Sequence, residues 1–259
     1  MSSSTIKQKI IPSEALIPMD LLTGIYPLRI TLDYARAENL LLGEAVYRKD
    51  ARLWLHEDLA AVTALAAVIC HKRSGLYFRL YDGFRSMEAQ GLMLETRRVK
   101  DNPQWLEEPR LLSPPGAGGH PRAMAIDIAL ENEREELIDM GTPFDYLAEN
   151  PHPDHNPAHR EYKGHSVKIM ENRAILTDAM MEAARRLNLP LLPLPQEWWD
   201  FRFPPEKYEQ YAPMRDADLP EGMQVTATKS QSGTIFDPAK AQQAAETLRA
   251  RIEPFITPS

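Results

Sequence analysis

The sequence predicts an α+β fold with a small, mainly antiparallel sheet flanked by helices. Segments with helical spacing and segments with strand alternation are intermixed along the chain, without the regular βαβ alternation of a parallel sheet. The chain has 259 residues, of which 43% are hydrophobic and 26% charged, so it can bury a full core. We therefore expect a single domain over residues 1–259, with a core of about residues 20–210 and a surface-wrapping segment and helix over residues 211–259.

The first half of this core is expected to contain a helix, a strand and a second helix. Residues 56–74, HEDLAAVTALAAVICHKRS, are rich in alanine and leucine, and Gly75 follows as a C-terminal stop. Residues 76–85, LYFRLYDGFR, alternate apolar and polar side chains and predict a strand that ends near its glycine. Residues 86–100 have helical spacing, with Ser86 as the N-cap.

The middle of the chain alternates loops with regular elements. Residues 111–120, LLSPPGAGGH, form a loop because proline and glycine occupy half of the positions. Residues 123–131, AMAIDIALE, read as a buried strand. The polar, proline- and histidine-rich residues 150–165 predict a loop, and residues 166–188 predict a long amphipathic helix.

The last third of the chain begins with a short strand at the segment EWWDF, residues 197–201. Residues 204–236 show little periodicity and are expected to wrap the surface. Residues 237–253 predict a helix, with Asp237 as the N-cap and Pro238 in the first turn.

Composition and charge exclude several classes of partner. The net charge is −7, and no long run of lysine and arginine offers a nucleic-acid-binding face. No apolar run approaches the roughly 20 residues of a membrane span, and residues 1–20 lack the apolar region of a signal peptide. The single cysteine, Cys70, lies in an apolar segment and is expected to be a buried side chain. We expect a cytoplasmic protein that binds neither nucleic acid nor membranes; the oligomeric state is left open.

A glycine-rich loop and the strand after it contain two candidate metal ligands. His120 leaves the loop, and Asp127 follows within the strand. A histidine on glycine-rich backbone beside a carboxylate on a rigid strand is a workable pair of ligands. A surface histidine and a hydrogen-bonded aspartate would explain the same residues.

The segment QEWWDF, residues 196–201, offers a further ligand and a base. A metallohydrolase needs both, and Asp200 and Glu197 could fill these roles. Residues three apart on a regular strand face opposite sides, so both reach one metal ion only if a bulge or turn separates them or the strand ends there. Two solvated acids beside core residues are the alternative. Trp198 and Trp199 are expected to pack the core and shape the pocket wall.

Arg85 lies where the strand of YDGFR runs into a turn. A fixed guanidinium near a metal ion can stabilise the oxyanion of a tetrahedral intermediate. Taken alone, an arginine at this position is more often a surface ion-pair partner.

Taken in order, the motifs YDGFR, GGHPRAMAID, DMGTPFD and EWWDF resemble those of the D-alanyl-D-alanine dipeptidases, the VanX-type zinc peptidases. The segment LDYARAENLLLGEAVY, residues 32–47, is similar to the N-terminal part of that family. The resemblance covers roughly residues 20–210. It implies the small α+β fold shared with D-Ala-D-Ala carboxypeptidases and the Hedgehog signalling domain.

The resemblance also implies roles for individual residues. By position, His120 and Asp127 match the first two zinc ligands, Glu197 the catalytic base and Arg85 the arginine that stabilises the oxyanion. Asp145, in TPFD, matches an acidic residue near the ammonium group of the substrate.

The chain departs from the family pattern, SxHxxGxAxD followed by EWWHF, at three positions. Gly118 replaces the serine, Ala123 replaces the glycine, and Asp200 replaces the histidine that is the third ligand. Loss of the serine hydroxyl removes a potential substrate contact. A site of His120, Asp127 and Asp200 can still bind one divalent metal ion, but its two carboxylates cancel the charge of the ion. Zinc is expected, and Mn²⁺ or Fe²⁺ is left open by the additional carboxylate.

The expected function is therefore hydrolysis of D-alanyl-D-alanine or a similar small D,D-dipeptide by a metallo-dipeptidase. Two alternatives remain: a non-catalytic peptide-binding protein on the same scaffold, and an amidase acting on another short cell-wall peptide. A further alternative supplies the third ligand from the histidine-rich loop. Its histidines are His152, His155, His159 and His165.

Overall fold

The computed structural model describes residues 8–108 and 110–256, so residues 1–7 of the segment expected not to be a signal peptide lie outside the described part. The described residues form seven short strands in two sheets. The strands are β1 (Leu16–Pro18), β2 (Leu28–Ile30), β3 (Trp54–His56), β4 (Tyr77–Asp82), β5 (Ala125–Glu131), β6 (Leu192–Pro193) and β7 (Asp200–Arg202).

Six α-helices accompany these strands, and they are joined by several 3₁₀ turns. The helices are α1 (Glu57–Ser74), α2 (Met87–Glu95), α3 (Arg97–Lys100), α4 (Val167–Arg186), α5 (Pro205–Tyr208) and α6 (Pro238–Ile256). Within residues 8–108 and 110–256, none of these helices combines the length and the apolar character needed to cross a membrane.

The larger sheet has the strand order β2-β4-β5-β7-β6. Strands β2 and β4 are parallel, and the other three pairings are antiparallel. Strands β1 and β3 form a second, antiparallel pair. A mainly antiparallel sheet with helices around it confirms the α+β class predicted from the sequence.

Helix α1 is the centre of the helical layer. It packs against α4 and α6 and also contacts β3 and β4. Because neighbours cover it on several sides, every side chain from Leu59 to Ala67 is buried, as expected for a helix without a polar face. Gly75 ends the helix in the left-handed conformation with φ 72°, as the sequence predicts, and Cys70 is buried with its thiol free.

Two elements differ from the sequence expectations. The helix expected over residues 86–100 is interrupted at Thr96, which adopts an extended conformation, so α2 and α3 are separate. Ser86 does cap α2, because its Oγ accepts a hydrogen bond from the backbone of Ala89 at 3.1 Å. The strand expected over residues 197–201 begins only at Asp200, and the residues before it form a turn.

The segment between α5 and α6 contributes to the core. Met223 and Val225 are buried, although the chain there forms only 3₁₀ turns and loops. Helix α6 begins as predicted, since Asp237 Oδ1 accepts a hydrogen bond from the backbone of Ala239 at 2.9 Å.

Candidate active site

Three aspartates lie side by side on the three central strands of the larger sheet. Asp82 on β4 pairs with Asp127 on β5, and Asp127 pairs with Asp200 on β7. A bulge in β4 sets this register, because Tyr81 is an extra residue between the paired positions Leu80 and Asp82. Like charges on neighbouring strands repel one another, so this row of carboxylates requires cations around it.

His120 meets this row of carboxylates from the 3₁₀ turn that follows the glycine-rich loop. Its Nδ1 lies 2.8 Å from the carbonyl oxygen of Gly83, so we place the ring proton on Nδ1, where it donates to that carbonyl. Nε2 then faces Asp200 Oδ2 at 3.3 Å and Asp127 Oδ1 at 3.7 Å. Nε2 of His120, Oδ2 of Asp200 and Oδ1 of Asp127 therefore lie close together, and in this tautomer His120 places no proton between them.

Asp127 contains an unsatisfied buried oxygen. Its Oδ1 has no hydrogen-bond partner among the described residues, and its Oδ2 lies 3.7 Å from a guanidinium nitrogen of Arg85. Burial, followed by the charges of Asp200 and Asp82, raises the pKa of Asp127 well above its usual range. A buried carboxylate oxygen without a proton donor is energetically costly unless a cation binds it.

Two distances from Nε2 of His120 suit a divalent metal ion. Zinc bonds of about 2.0–2.1 Å in tetrahedral geometry separate ligand atoms by roughly 3.3–3.5 Å. The separations from Nε2 to Asp200 and Asp127 are 3.3 Å and 3.7 Å. A fixed Nδ1–H and an orphaned carboxylate oxygen are also what a metal-binding histidine and aspartate present.

Asp82 belongs to a second possible set of ligands, but it faces the Nδ1 side of the His120 ring, whereas Asp200 faces Nε2. Ligand atoms of Asp82, His120 and Asp127 lie within 4.8 Å of one another. Asp82 Oδ1 accepts a hydrogen bond from Tyr47 at 2.8 Å, and its Oδ2 accepts one from Arg85 at 2.9 Å. The same Oδ2 is 3.5 Å from Nδ1 of His120, the protonated side of the ring. Asp82 is therefore better placed to orient His120 and Arg85 than to bind the ion.

Asp200 forms a two-point ion pair with Arg202, a residue that the sequence reasoning did not single out. The Nε of Arg202 donates to Asp200 Oδ1 at 2.8 Å, and Nη2 donates to Oδ2. Burial alone would raise the pKa of Asp200, but the guanidinium outweighs it and holds this pKa well below its usual range. The sequence does indicate this pair, because Asp200 and Arg202 are two residues apart and residues at this spacing on a strand share one face.

Glu197 lies in the turn before β7, outside the row of aspartates. Because the strand begins only at Asp200, the two acidic residues are not bound to opposite faces of a strand. Glu197 lines the same pocket as His120 and Asp127. Burial, and then the charge of Asp200, raises the pKa of Glu197 to about 7. A carboxylate with that pKa can take up and release a proton near neutral pH.

Arg85 is held in place by ionic and hydrogen-bond contacts with its neighbours. Its Nε and Nη2 lie 2.9 Å and 2.8 Å from Asp82 Oδ2, and Nη2 lies 3.4 Å from the hydroxyl of Tyr34. The guanidinium also lies over the Tyr34 ring, 5.1 Å from its centroid. Arg85 is therefore fixed beside Asp127 and is not a surface residue.

Asp145 lies in the same pocket, in the left-handed conformation with φ 59°. Its Oδ1 accepts a hydrogen bond from the hydroxyl of Tyr34 at 3.0 Å, and the residue is buried. Burial raises the pKa of Asp145 well above its usual range. A buried carboxyl with one hydrogen-bond donor can still accept from a cationic ligand.

One small pocket brings these side chains together. Its volume is about 130 Å³, below the roughly 300–1,000 Å³ of pockets for drug-sized ligands, so it suits a short substrate. Trp199 forms part of its wall, as expected, and Asp200 lies behind the lining with no exposed surface. The charged or ionisable groups named above that line it are Arg85, His120, Asp127, Asp145, Glu197 and Arg202.

The histidine-rich loop does not supply a ligand in this arrangement. None of its four histidines, all of them described by the structure, lines the pocket. His165 Nε2 contacts the carbonyl of Pro157 at 2.7 Å, and His159 Nδ1 accepts from the backbone of Glu161 at 3.1 Å. Both rings are therefore engaged in local structure of the loop.

Comparison with known proteins identifies relatives over most of the chain. Residues 15–216 match the family model described as D-Ala-D-Ala dipeptidase. The chain is also 31% identical over 185 residues to the D-alanyl-D-alanine dipeptidase of Escherichia coli strain K12. That alignment covers 71% of this chain and 83% of the relative.

Proposed function

Since the chain belongs to the D-Ala-D-Ala dipeptidase family of peptidases, we propose that it hydrolyses D-alanyl-D-alanine or a similar small D,D-dipeptide with one divalent metal ion. The observation that carries this proposal is the convergence of His120 Nε2, Asp200 Oδ2 and the unpartnered Oδ1 of Asp127. Zinc is the proposed ion; Mn²⁺ and Fe²⁺ are the alternatives.

The charge balance of the pocket supports a cationic cofactor and a zwitterionic substrate. The carboxylates of the site outnumber the guanidinium groups that pair with them by five to two. A divalent ion would offset two of these three excess charges, and the ammonium end of a dipeptide would bind favourably beside a remaining carboxylate, while the dipeptide's own carboxylate requires a separate cationic partner. The carboxylates are those of Asp82, Asp127, Asp145, Glu197 and Asp200.

The residues of the site divide the reaction between them. Bound to His120, Asp127 and Asp200, the metal ion would polarise the scissile carbonyl and make water more acidic. Glu197 accepts a proton from the attacking water and later passes it to the departing amine. Arg85 stabilises negative charge that develops on the carbonyl oxygen.

Asp145 gives the pocket its preference for a free N-terminus. Its carboxylate accepts hydrogen bonds from the ammonium group of the dipeptide, and Tyr34 holds it in position. Blocking that ammonium group should therefore weaken binding.

Metal content and hydrolysis together test the proposed function. The protein, purified without chelator or immobilised metal, should contain one metal ion per chain and cleave D,D-dipeptides faster than L,D- or L,L-dipeptides. Asp200→Ala should lose the metal ion, whereas Asp20→Ala, at an exposed ion pair with Arg52, should keep it. Cleavage of another short cell-wall peptide in preference to dipeptides would favour the amidase alternative.

The ion pair of Asp200 with Arg202 favours one competing function, a non-catalytic peptide-binding protein. An arginine can offset the charge of Asp200 without any metal ion. A folded protein that contains no metal, takes up none and leaves every dipeptide intact would establish this alternative.

Replacement of the base gives a second test. Glu197→Gln removes the proton acceptor but preserves size, so kcat should fall by about 10²- to 10⁴-fold while the metal content stays at the wild-type level. Steady-state kinetics with D-alanyl-D-alanine and metal analysis of the same sample provide the two readouts. Wild-type kcat in this variant would exclude Glu197 as the base.

A further inference from the structure

Arg202 has a free donor group inside the pocket. Its Nε and Nη2 both donate to Asp200, but no described residue accepts a hydrogen bond from its Nη1. The side chain nevertheless lines the pocket beside His120 and Glu197. A guanidinium has five N–H donors in a fixed plane, so binding Asp200 with one edge leaves the Nη1 donors available to another anion.

A glycine leaves space beside this donor. A Cβ placed on Gly118 would lie 3.4 Å from Nη1 of Arg202 and 3.9 Å from Oγ of Ser113. Gly118 has a φ of 83°, which disfavours other residues, and all three residues line the pocket. A positively charged donor and a hydroxyl therefore border one small volume that no side chain fills.

The other arginines of the pocket are less suited to bind an anion there. Arg85 is committed to Asp82, Tyr34 and Asp127. Arg110 is 46% exposed and pairs with Glu108 at 3.2 Å, so water screens its charge. The Nη1 of Arg85 is also without a described acceptor, but its guanidinium lies beside Asp82 and Asp127, where the oxyanion role proposed above places it. The Nη1 of Arg202 instead borders the space beside Gly118.

We infer that Arg202 binds the C-terminal carboxylate of the substrate through Nη1, in the space left open by Gly118, an inference that rests on the dipeptidase function proposed above. Nε and Nη2 keep Asp200 in place while Nη1 faces the ligand. Together with Asp145 at the ammonium end, this contact makes the pocket specific for substrates with both termini free. Peptides extended or amidated at the C-terminus are poor substrates for that reason.

Comparison of a dipeptide acid with its amide isolates this contact. D-Ala-D-Ala and D-Ala-D-Ala-amide share the scissile bond, the metal ion and the base, so their kcat/KM ratio reports recognition of the carboxylate. The wild-type enzyme should prefer the acid by roughly 10- to 100-fold, the range for one hydrogen bond between charged groups. A change in the metal site or in Glu197 alters both rates and leaves the ratio intact.

Two variants and one control make the comparison decisive. Arg202→Lys keeps a positive charge for Asp200 but lacks the second guanidinium edge that faces the ligand, and it should lower the ratio about tenfold or more. Gly118→Ala places a methyl group 3.4 Å from Nη1 while both partners of the ion pair stay in the chain, and should lower the ratio similarly. Because its φ of 83° strains an alanine, the metal content of this variant is measured as well. Arg110→Gln removes an exposed charge from the same pocket and should keep the wild-type ratio. Thermal unfolding of each protein establishes that it is folded.

The outcomes separate this inference from the proposed function. An unchanged ratio in folded Gly118→Ala and Arg202→Lys would overturn the role of Arg202; if the lysine variant does not fold, the alanine variant decides. If the wild-type protein cleaves neither compound, the dipeptidase function fails instead. Equilibrium binding of the acid and the amide, measured by calorimetry, then tests the carboxylate contact directly. Equal affinities would exclude it, and tighter binding of the acid that is lost in both variants would support it.

Discussion

Asp127 combines deep burial with a carboxylate oxygen that no described residue hydrogen-bonds. We expect Asp127→Asn to stabilise the metal-free protein by about 1–2 kcal/mol, because the amide carries no charge and can donate toward Asp200 or His120. Thermal unfolding in the presence of EDTA should show a melting temperature a few degrees higher than that of the wild type.

The same variant should lose the response to metal. Added zinc at about 100 times its dissociation constant stabilises a binding protein by about 2.7 kcal/mol, and Asp127→Asn should show no such gain. A metal-free variant less stable than the wild type would show that Asp127 is satisfied within the protein and is not held for a cation.

Asp200 and Arg202 together act as a unit without net charge. The sequence alone suggests that two carboxylate ligands cancel the charge of the metal ion. The two-point pairing of the guanidinium with Asp200 corrects this expectation, because it restores a positive charge directly beside the second carboxylate. A carboxylate paired in this way matches the neutral imidazole of the family pattern in charge, although not in size or in ligand atom.

At the scale of single elements, the N-terminus of α1 contains a pH-sensitive cap. Nδ1 of His56 accepts a hydrogen bond from the backbone of Asp58 at 3.2 Å, which requires a neutral ring. The pKa of His56 is lowered to about 4, chiefly by burial; the charge of Asp58 opposes this shift, and the charges of Lys207 and Arg251 add to it. Between pH 6.5 and about pH 4, His56 therefore stays neutral in the folded protein, whereas the same side chain in the unfolded chain binds a proton.

Acidification should consequently destabilise the protein through His56. The folded-state pKa is depressed, so the stability is fully present above pH 6.5 and is lost as the pH falls toward 4. At pH 5 the loss from this group is about 2 kcal/mol, since one pKa unit corresponds to about 1.36 kcal/mol. His56→Asn keeps a capping oxygen without titrating, so it should lose less unfolding free energy between pH 7 and pH 5 in urea denaturation. Equal losses in the two proteins would rule out the cap as the sensor.

The sequence predicted those helix ends that depend on residues within the same turn of the chain. Gly75 and the caps at Ser86 and Asp237 were identifiable because each acts within a few residues of its own helix end. The break at Thr96 was not identifiable, because helical spacing continues across it. Threonine is β-branched and favours extended backbone, but this preference is too weak to predict a break on its own.

The residues of the candidate site were named from the sequence, but their arrangement was not. His120, Asp127, Asp145 and Glu197 line one pocket, and the roles that the resemblance implies for them stay predictions. The row of aspartates depends on a bulge in β4 and on the register of three strands, which no local pattern specifies. Arg202 was missed because its partner was considered only as a metal ligand.

One substitution at the site carries a backbone cost. Ala123, at the position of the family glycine, adopts the left-handed conformation with φ 53°. A side chain in this region carries a backbone strain of about 1 kcal/mol. The turn at His120 is thus held by its surroundings, including hydrogen bonds from Ala123 and Met124 to His120 and Gly119.

For the molecule as a whole, the position of the site follows from how the helical layer is joined to the larger sheet. Strand β3 leads directly into α1, and its residue Trp54 accepts a hydrogen bond from the backbone of Phe84 at 2.8 Å. Gly83 is required at this junction, because a Cβ there would lie 2.7 Å from the carbonyl oxygen of Trp54. The carbonyl of the same glycine receives the Nδ1 proton of His120, so the helical layer and the site share a rigid connection.

Helix α6 lies beyond the region that matches the family model, but it covers α1 and β1. One stripe of the helix is buried, with Ala241, Ala245, Leu248 and Ile252 at helical spacing. Its remaining surface is largely exposed. The packing indicates that α6 stabilises the helical layer and does not take part in the chemistry, since none of its residues lines the pocket.

Removal of one buried side chain from α6 should therefore separate stability from activity. Ile252→Ala leaves a cavity at a fully buried position and should lower the free energy of unfolding by about 2–5 kcal/mol. Gln243→Ala, on the exposed face of the same helix, should change it by less than about 0.5 kcal/mol. In both variants kcat/KM for D-alanyl-D-alanine, measured below the unfolding temperature, should equal that of the wild type. A selective fall of kcat/KM in folded Ile252→Ala would instead show that α6 positions the site through α1, β3 and Gly83.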